Sequence, residues 1–340
     1  MTFQERVDAL QHLGLTNRQT RFLVTVALHG GYCLRRQYMA FAGIPYGAPV
    51  REFLEALASR GLARRFEFRR DRGYVYHLHR APVYEAIGQR ENRNRRQVSA
   101  AAIARKLMVL DHVLTEPRGD WYATEDDKVE LFTRRFLVSP EHLPQRTFEA
   151  GNGTSRTTRY FIHKLPIQVA DERSYPTFVF LVMDTTGEGF LGFLRDHLPL
   201  LNRLSEWRLV AIAPSHIAGL KACEAAFQRF CRQLRQPNDA SDLAQLRTYF
   251  LKRQALERNE LTPFEGSFTQ AAAEWREAQR MFASADVESL YSRWRAEGDS
   301  VFQGARAERF LAAVDAGRGV LETRVLAHRY DRFGSLAGLS

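Results

Sequence analysis

The chain is short of the residues and patterns that mark most well-defined protein classes. It has three cysteines, Cys33, Cys223 and Cys231, an odd number with no C-x-x-C pair. That argues against a disulfide scaffold and against a zinc site, so reduced, partly buried thiols are expected. Long apolar runs are missing. The longest, Phe178 to Met183 and Leu209 to Ala213, fall far below the roughly 20 residues of a bilayer-spanning helix. The opening MTFQERVDAL is acidic and polar where a secretory leader is apolar. The expectation is a soluble, cytoplasmic protein with no membrane partner. No G-x-x-x-x-G-K-[ST] loop, nucleophile elbow or H-E-x-x-H helix occurs, and no cofactor is expected. Nor is there an internal repeat or a low-complexity stretch. At 340 residues the chain exceeds the usual size of one core, so two or three packed units are expected.

What is present is cationic charge, unevenly placed. Residues 1–118 hold 20 Lys and Arg against 10 Asp and Glu, whereas the rest of the chain holds 29 against 29. The whole surplus of +10 therefore lies at one end, where a polyanionic partner is expected.

That end has a legible order. Thr16-Asn17-Arg18-Gln19 is a capping-box start, followed by Phe22, Leu23, Val26 and Ala27 at helical spacing up to Gly30-Gly31. A second short helix fits Leu34 to Phe41 and stops at Gly43-Ile44-Pro45. A third starts near Gly47, turns Val50, Phe53, Leu54, Leu57 and Ala58 inward, leaves Arg51, Glu52 and Glu55 outward, and ends at Arg60-Gly61. The period then changes from 3.6 to 2. Phe66 and Phe68 alternate with charged residues, and Tyr74, Tyr76 and Leu78 alternate with Val75, His77 and His79. Between these strands, Arg69-Arg70-Asp71-Arg72-Gly73 makes an arginine-tipped turn. Three helices and a basic hairpin predict a winged helix, with the third helix in the major groove of DNA and the hairpin tip on phosphates or in the minor groove. The neutral outward face of the third helix leaves a protein-binding adaptor open as an alternative. His77 and His79 share one face without a third ligand and read as surface or interface residues. The run Arg90 to Arg96 reads as a solvated linker or a phosphate clamp. A strong helix follows from Val98 to Leu114, striped with Ile103, Leu107, Leu110 and Leu114.

From Trp121 the pattern is mixed. A helix runs from the cap at Thr124 through Phe132, and a loop at 151–158 precedes a strand at Arg159 to His163. Ile167 to Ala170, a turn at Asp171 to Ser174, the run Thr177 to Met183, a helix Phe190 to Leu204 and a strand Arg208 to Ala213 predict an α/β core with a partly parallel sheet. This is also the order of a restriction-endonuclease-like core. There Asp171 and Asp184, with Glu188 nearby, would hold a divalent metal. The lysine such a site needs is missing, since Thr186 stands two residues after Asp184. Asp184-Thr-Thr-Gly is equally explained as a helix-start turn whose acid satisfies free amides. Beyond Ile217 the chain reads as helical, over Ile217 to Leu234, Leu243 to Glu257, Phe268 to Ala283, Val287 to Glu297 and Val301 to Val314. Trp275, Phe282, Tyr291, Trp294 and Phe302 recur at core spacing.

Leu15-Thr16-Asn17-Arg18-Gln19, Phe53 to Leu62, Tyr74-Val-Tyr-His-Leu78 and Val182-Met-Asp-Thr-Thr186 before Phe193-Leu194 resemble the replication-relaxation family. These are winged-helix proteins of plasmids and other mobile elements, some carrying an inactive endonuclease-like domain. Val182 stands where that pattern usually has a further acid, which counts against a metal role. The resemblance implies DNA engagement in replication, mobilisation or regulation.

The reading is an α+β protein: a winged helix at 1–90, a basic linker and helix at 91–118, an inactive endonuclease-like core at 119–215 and a helical bundle at 216–340. It is read as a non-enzymatic, sequence-selective protein of double-stranded DNA, acting in transcriptional regulation or in replication or mobilisation. DNA contacts are assigned to Arg35, Arg36, Tyr46, Arg51, Arg65, Arg69, Arg70, Arg72, Arg93, Arg95 and Arg96, with no catalytic or metal site. A homodimer and a replication, transfer or regulatory protein are the expected partners. The alternatives are a metal-dependent nuclease using Asp171 and Asp184, and the adaptor.

Overall fold

Thr2 and Thr16 open the first two helices in the same way, α1 (Phe3–Ala9) and α2 (Asn17–His29). Each hydroxyl takes the amide three residues on, and Glu5 or Gln19 reaches back to the threonine amide. Two otherwise orphaned donors are thereby satisfied at each start. These elements come from a computed structural model that describes residues 1–68, 73–149, 156–170, 175–204, 206–214, 219–234, 239–258, 260, 268–282, 285–302, 319–330 and 333. After α2 come β1 (Tyr32–Leu34), α3 (Arg35–Ala42), α4 (Ala48–Ser59), β2 (Ala63–Glu67), β3 (Tyr74–Leu78) and α5 (Ala81–Ala86). The three strands form an antiparallel sheet in the order β1-β3-β2. Phe22, Tyr38 and Phe53 from three different helices meet in the unit's core, with ring centroids 4.4 to 6.3 Å apart.

α6 (Ala100–Thr115) lies between this sheet and a second one. Its buried residues run almost without a break from Leu107 to Val113. A helix buried on all sides is a core helix, and here Asp111 and His112 are buried along with the apolar residues. One side meets Tyr32, Phe66 and Val75, and the other meets Val179, Leu181, Val210 and Ile212. The stripe expected from the sequence is present but is one half of a helix shared by both sheets.

The second sheet takes in β4 (Asp120–Tyr122), β7 (Ile167–Val169), β8 (Thr177–Leu181), β9 (Trp207–Ala213) and β10 (Gly319–Val325), in the order β10-β9-β8-β7-β4. The pairs β4–β7 and β7–β8 are antiparallel, while β8, β9 and β10 are mutually parallel. β8 is buried along its whole length, so its sequence is a continuous apolar run without alternation. α7 (Glu125–Glu130) and a separate hairpin, β5 (Gln145–Glu149) with β6 (Arg156–Tyr160), lie between β4 and β7. α8 (Glu188–Leu201) joins β8 to β9, and α9 (Leu220–Leu234) packs beside it on the same face. α10 (Asp239–Glu257), α11 (Phe268–Met281) and α12 (Ala285–Glu297) gather Tyr249, Phe250, Phe282, Tyr291 and Trp294 into a smaller core of their own.

The helical reading beyond residue 216 fails at β10, which returns to the main sheet as an edge strand. A half-exposed edge strand carries little apolar signal. The strand expected at Arg159 to His163 begins earlier, at Arg156, and pairs with β5 outside the main sheet. Most of the helix expected at Val301 to Val314 lies outside the described residues. No described helix is long and apolar enough to cross a membrane.

Candidate nucleic-acid interface

α4 is set by its apolar spacing. Val50, Phe53, Leu54 and Leu57 are buried on the N-terminal core, leaving Arg51, Glu52, Glu55 and Ser59 outside. Its first turn holds no acid, so the amides there face no carboxylate of their own turn, and Arg51 stands where the helix dipole disfavours a cation. An external anion relieves both. Just before α4, Tyr46 is 53% exposed. The guanidinium of Arg35, at the start of α3, stacks 4.2 Å from its ring centroid. This stack links the starts of α3 and α4.

β2 is an edge strand, and Arg64 and Arg65 are both exposed on it. Arg65 lies 4.3 Å over the Tyr74 ring, and Arg64 reaches Gln97 at 3.3 Å. No carboxylate among the described residues forms an ion pair with Arg35, Arg51, Arg60, Arg64 or Arg65. The tip arginines Arg69, Arg70 and Arg72 lie outside the described residues.

Arg36, adjacent to Arg35, has a different setting. It grips Asp111 of α6 through both terminal nitrogens, at 2.5 and 2.6 Å. Gln37 and the Tyr330 hydroxyl donate to the same carboxylate. Burial pulls the Arg36 guanidinium down, but Asp111 more than reverses this and keeps it charged. Arg36 is therefore a fastener between α3, α6 and the chain's C-terminal part.

The run around Arg93 is likewise fixed in place. The Asn94 amide donates to the carbonyls of Ala27 and Leu28 at 3.0 and 3.2 Å. Its side-chain oxygen accepts from Lys106 at 2.6 Å. Its backbone carbonyl accepts from His77 Nε2 at 2.9 Å. Gly31, with φ of 77°, leaves room for this, because a Cβ there would sit 2.4 Å from the Asn94 carbonyl oxygen. The segment is thus bolted to the end of α2 and the far end of the β2–β3 hairpin, away from its tip. Arg93 and Arg96 are exposed there and Arg95 is half-buried. His77 itself is buried and stacked on Tyr32 with centroids 4.0 Å apart, and burial pushes its pKa down to about 4. Of the surface-or-interface expectation for His77 and His79, the surface position fails for His77 because β3 is the central strand, covered on both faces, while His79 at its end is half-buried.

In the second sheet, Asp184 Oδ1 accepts from the amides of Thr186 and Gly187, at 3.0 and 2.7 Å, and from the Thr186 hydroxyl. The carboxylate closes the turn into α8, and Glu188 is that helix's first residue. Asp171 lies outside the described residues. Among those described, no three His, Cys, Asp or Glu side chains are grouped to hold a metal. Sequence reasoning missed Arg64 and Tyr74. The alternation on β2 and β3 was the available signal for both.

Comparison with known protein families, curated proteins and solved structures finds no match to this chain.

Proposed function

We propose that the N-terminal unit is a winged helix that binds double-stranded DNA sequence-selectively, with α4 in the major groove and Arg35, Tyr46 and Arg65 on the flanking backbone. The observation that carries the reading is the group of exposed arginines on α3, α4 and β2, Arg35, Arg51, Arg60, Arg64 and Arg65, which lie on neighbouring elements of one unit and meet no carboxylate among the described residues. The element order supports it, since three helices followed by a hairpin give one helix an outward face and the hairpin a free tip. The second sheet is then an endonuclease-like scaffold without chemistry, whose Asp184 serves a turn. In keeping with the resemblance to replication-relaxation proteins, the output is regulation, replication or mobilisation of a mobile element, with a second copy or a replication or transfer protein as partner.

Arg51 provides the test. A bidentate contact to guanine is worth about 1–3 kcal/mol of discrimination. Arg51→Ala should therefore reduce the ratio of affinities for a selected site over a scrambled duplex by roughly 10- to 100-fold, with a smaller loss on the scrambled duplex. Equal losses on both would place Arg51 on the backbone and remove α4 from the groove.

A further inference from the structure

The β5–β6 hairpin is a ribbon that the fold itself does not use. All five residues of β5 are exposed, as are four of the five in β6. Among the described residues it is anchored at its base. The Phe161 amide donates to the Pro144 carbonyl at 2.7 Å, and the Tyr160 amide donates to Glu125 at 2.8 Å. The buried Phe161 ring stacks on Phe132. Phe161 and Lys164 both hold left-handed φ values, 49° and 56°, a conformation that side-chain-bearing residues resist. Strained backbone thus sits where the chain leaves the ribbon for β7.

The two faces of the ribbon differ. On one face Thr147 meets Thr158 and Glu149 pairs with Arg156 at 2.9 Å, each directly across the strands. On the other face Arg146 lies directly across from Arg159, next to Phe148 across from Thr157. Like charges in opposed positions destabilise an isolated ribbon. Arg146 has no carboxylate partner among the described residues. Arg159 has Glu125 at 3.9 Å, a carboxylate already bonded to the Tyr160 amide. Phe148 is 49% exposed between them and the outer end.

We propose that this face is a second contact of the protein with duplex DNA, separate from α4 and resting on the DNA-binding reading above. A two-stranded ribbon exposed on both faces has the cross-section the major groove admits. Arg146 and Arg159 take phosphates, which removes their mutual repulsion. Thr157 and Phe148 lie beside them toward the groove.

The test uses the full chain and duplexes of about 30 base pairs, with anisotropy read across a salt series. Arg146→Ala with Arg159→Ala should lower the slope of log K against log salt by about two, and shorten the hydroxyl-radical footprint at one side. Phe148→Ala should weaken binding without changing the slope. Arg156→Ala removes one charge from the opposite face and should leave the slope unchanged, where Arg146→Ala alone lowers it by about one. If the double variant keeps the wild-type slope and footprint, the hairpin is not a DNA contact, although the α4 reading survives. A change in oligomeric state with DNA binding intact assigns the face to a second copy and overturns the proposal. If the wild type binds no duplex at any salt, both readings fail together.

Discussion

Five exposed arginines on the N-terminal unit and a set of arginines toward the chain's C-terminal end keep different company. In the last third, Arg253 holds Glu288 through two nitrogens at 2.7 and 2.8 Å, Arg247 meets Asp299, and Arg295 meets Glu257. Arg324 bridges Glu116 and Glu322, and Arg208 also meets Glu322. On α3, α4 and β2, by contrast, Arg35, Arg51, Arg60, Arg64 and Arg65 meet aromatic rings, an amide or solvent. Part of the balanced charge beyond residue 118 is thus held in ion pairs, while five exposed arginines of the N-terminal unit meet no carboxylate among the described residues. Exposed pairs are worth about 0–1 kcal/mol each, so neither set holds the fold together. What they shape is the field around each region, and the proposed duplex partner would meet the surplus of cationic charge at the N-terminal end.

Apart from the exposed Arg90–Glu85 pair at 3.8 Å, two arginines at the N-terminal end are held by carboxylates of other elements. Arg6 holds Asp127 at 2.8 and 2.9 Å with its side chain 7% exposed, and Arg36 holds Asp111. Each of these two serves as a joint between elements distant in sequence. Asp111→Ala leaves Arg36, Gln37 and Tyr330 without their shared acceptor, and should destabilise the protein by about 3 kcal/mol in urea unfolding. A change below about 1 kcal/mol would mean that Arg36 is as free as Arg35, and the distinction between fasteners and contacts would fall.

Acid should act on the N-terminal part and on the second sheet's helix layer alike. Burial holds His29 and His197 at about 3, and His77 and His112 at about 4, against an unfolded value near 6.5. The folded state therefore binds fewer protons than the unfolded state below about pH 6.5. This contribution to stability is complete above that pH and is lost as pH falls toward 4 and then 3. The urea midpoint should fall between pH 6.5 and 4.5. A flat midpoint over that window would mean that these four rings are hydrated in solution.

Much of the N-terminal unit was legible because its signals are local. Capping threonines, the spacing of Phe53, Leu54 and Leu57, and the change of period after Gly61 all lie within a few residues of the structure they specify. β8 and β9 were legible from their apolar runs alone. β1 has three residues, too few for a period, and β10 is a half-exposed edge. The β5–β6 ribbon buries neither face, so its sequence carries no alternation of burial. The site was less legible than the fold for a related reason. Arg35 and Arg36 are neighbours of the same type, yet one stacks on Tyr46 while the other is held by a carboxylate 75 residues away. Helix rotation and a long-range contact decide between them, and neither is written at positions 35 and 36. The same holds for Asn94, whose bonds to α2, Lys106 and His77 turned an expected linker into a fixed part of the unit.

Duplex binding by the full chain, followed as salt is raised, puts the difference between the two regions to direct measurement. Each phosphate neutralised contributes about 0.9 to the slope of log K against log salt, so the wild type should show a linear fall with a slope of roughly 4 to 7. Replacing Arg35, Arg51 and Arg65 by Ala should lower that slope by about three, while Arg253→Ala should not change it. A flat salt dependence, or a slope that responds to Arg253 as much as to Arg51, would contradict the assignment of the unpaired N-terminal arginines to DNA.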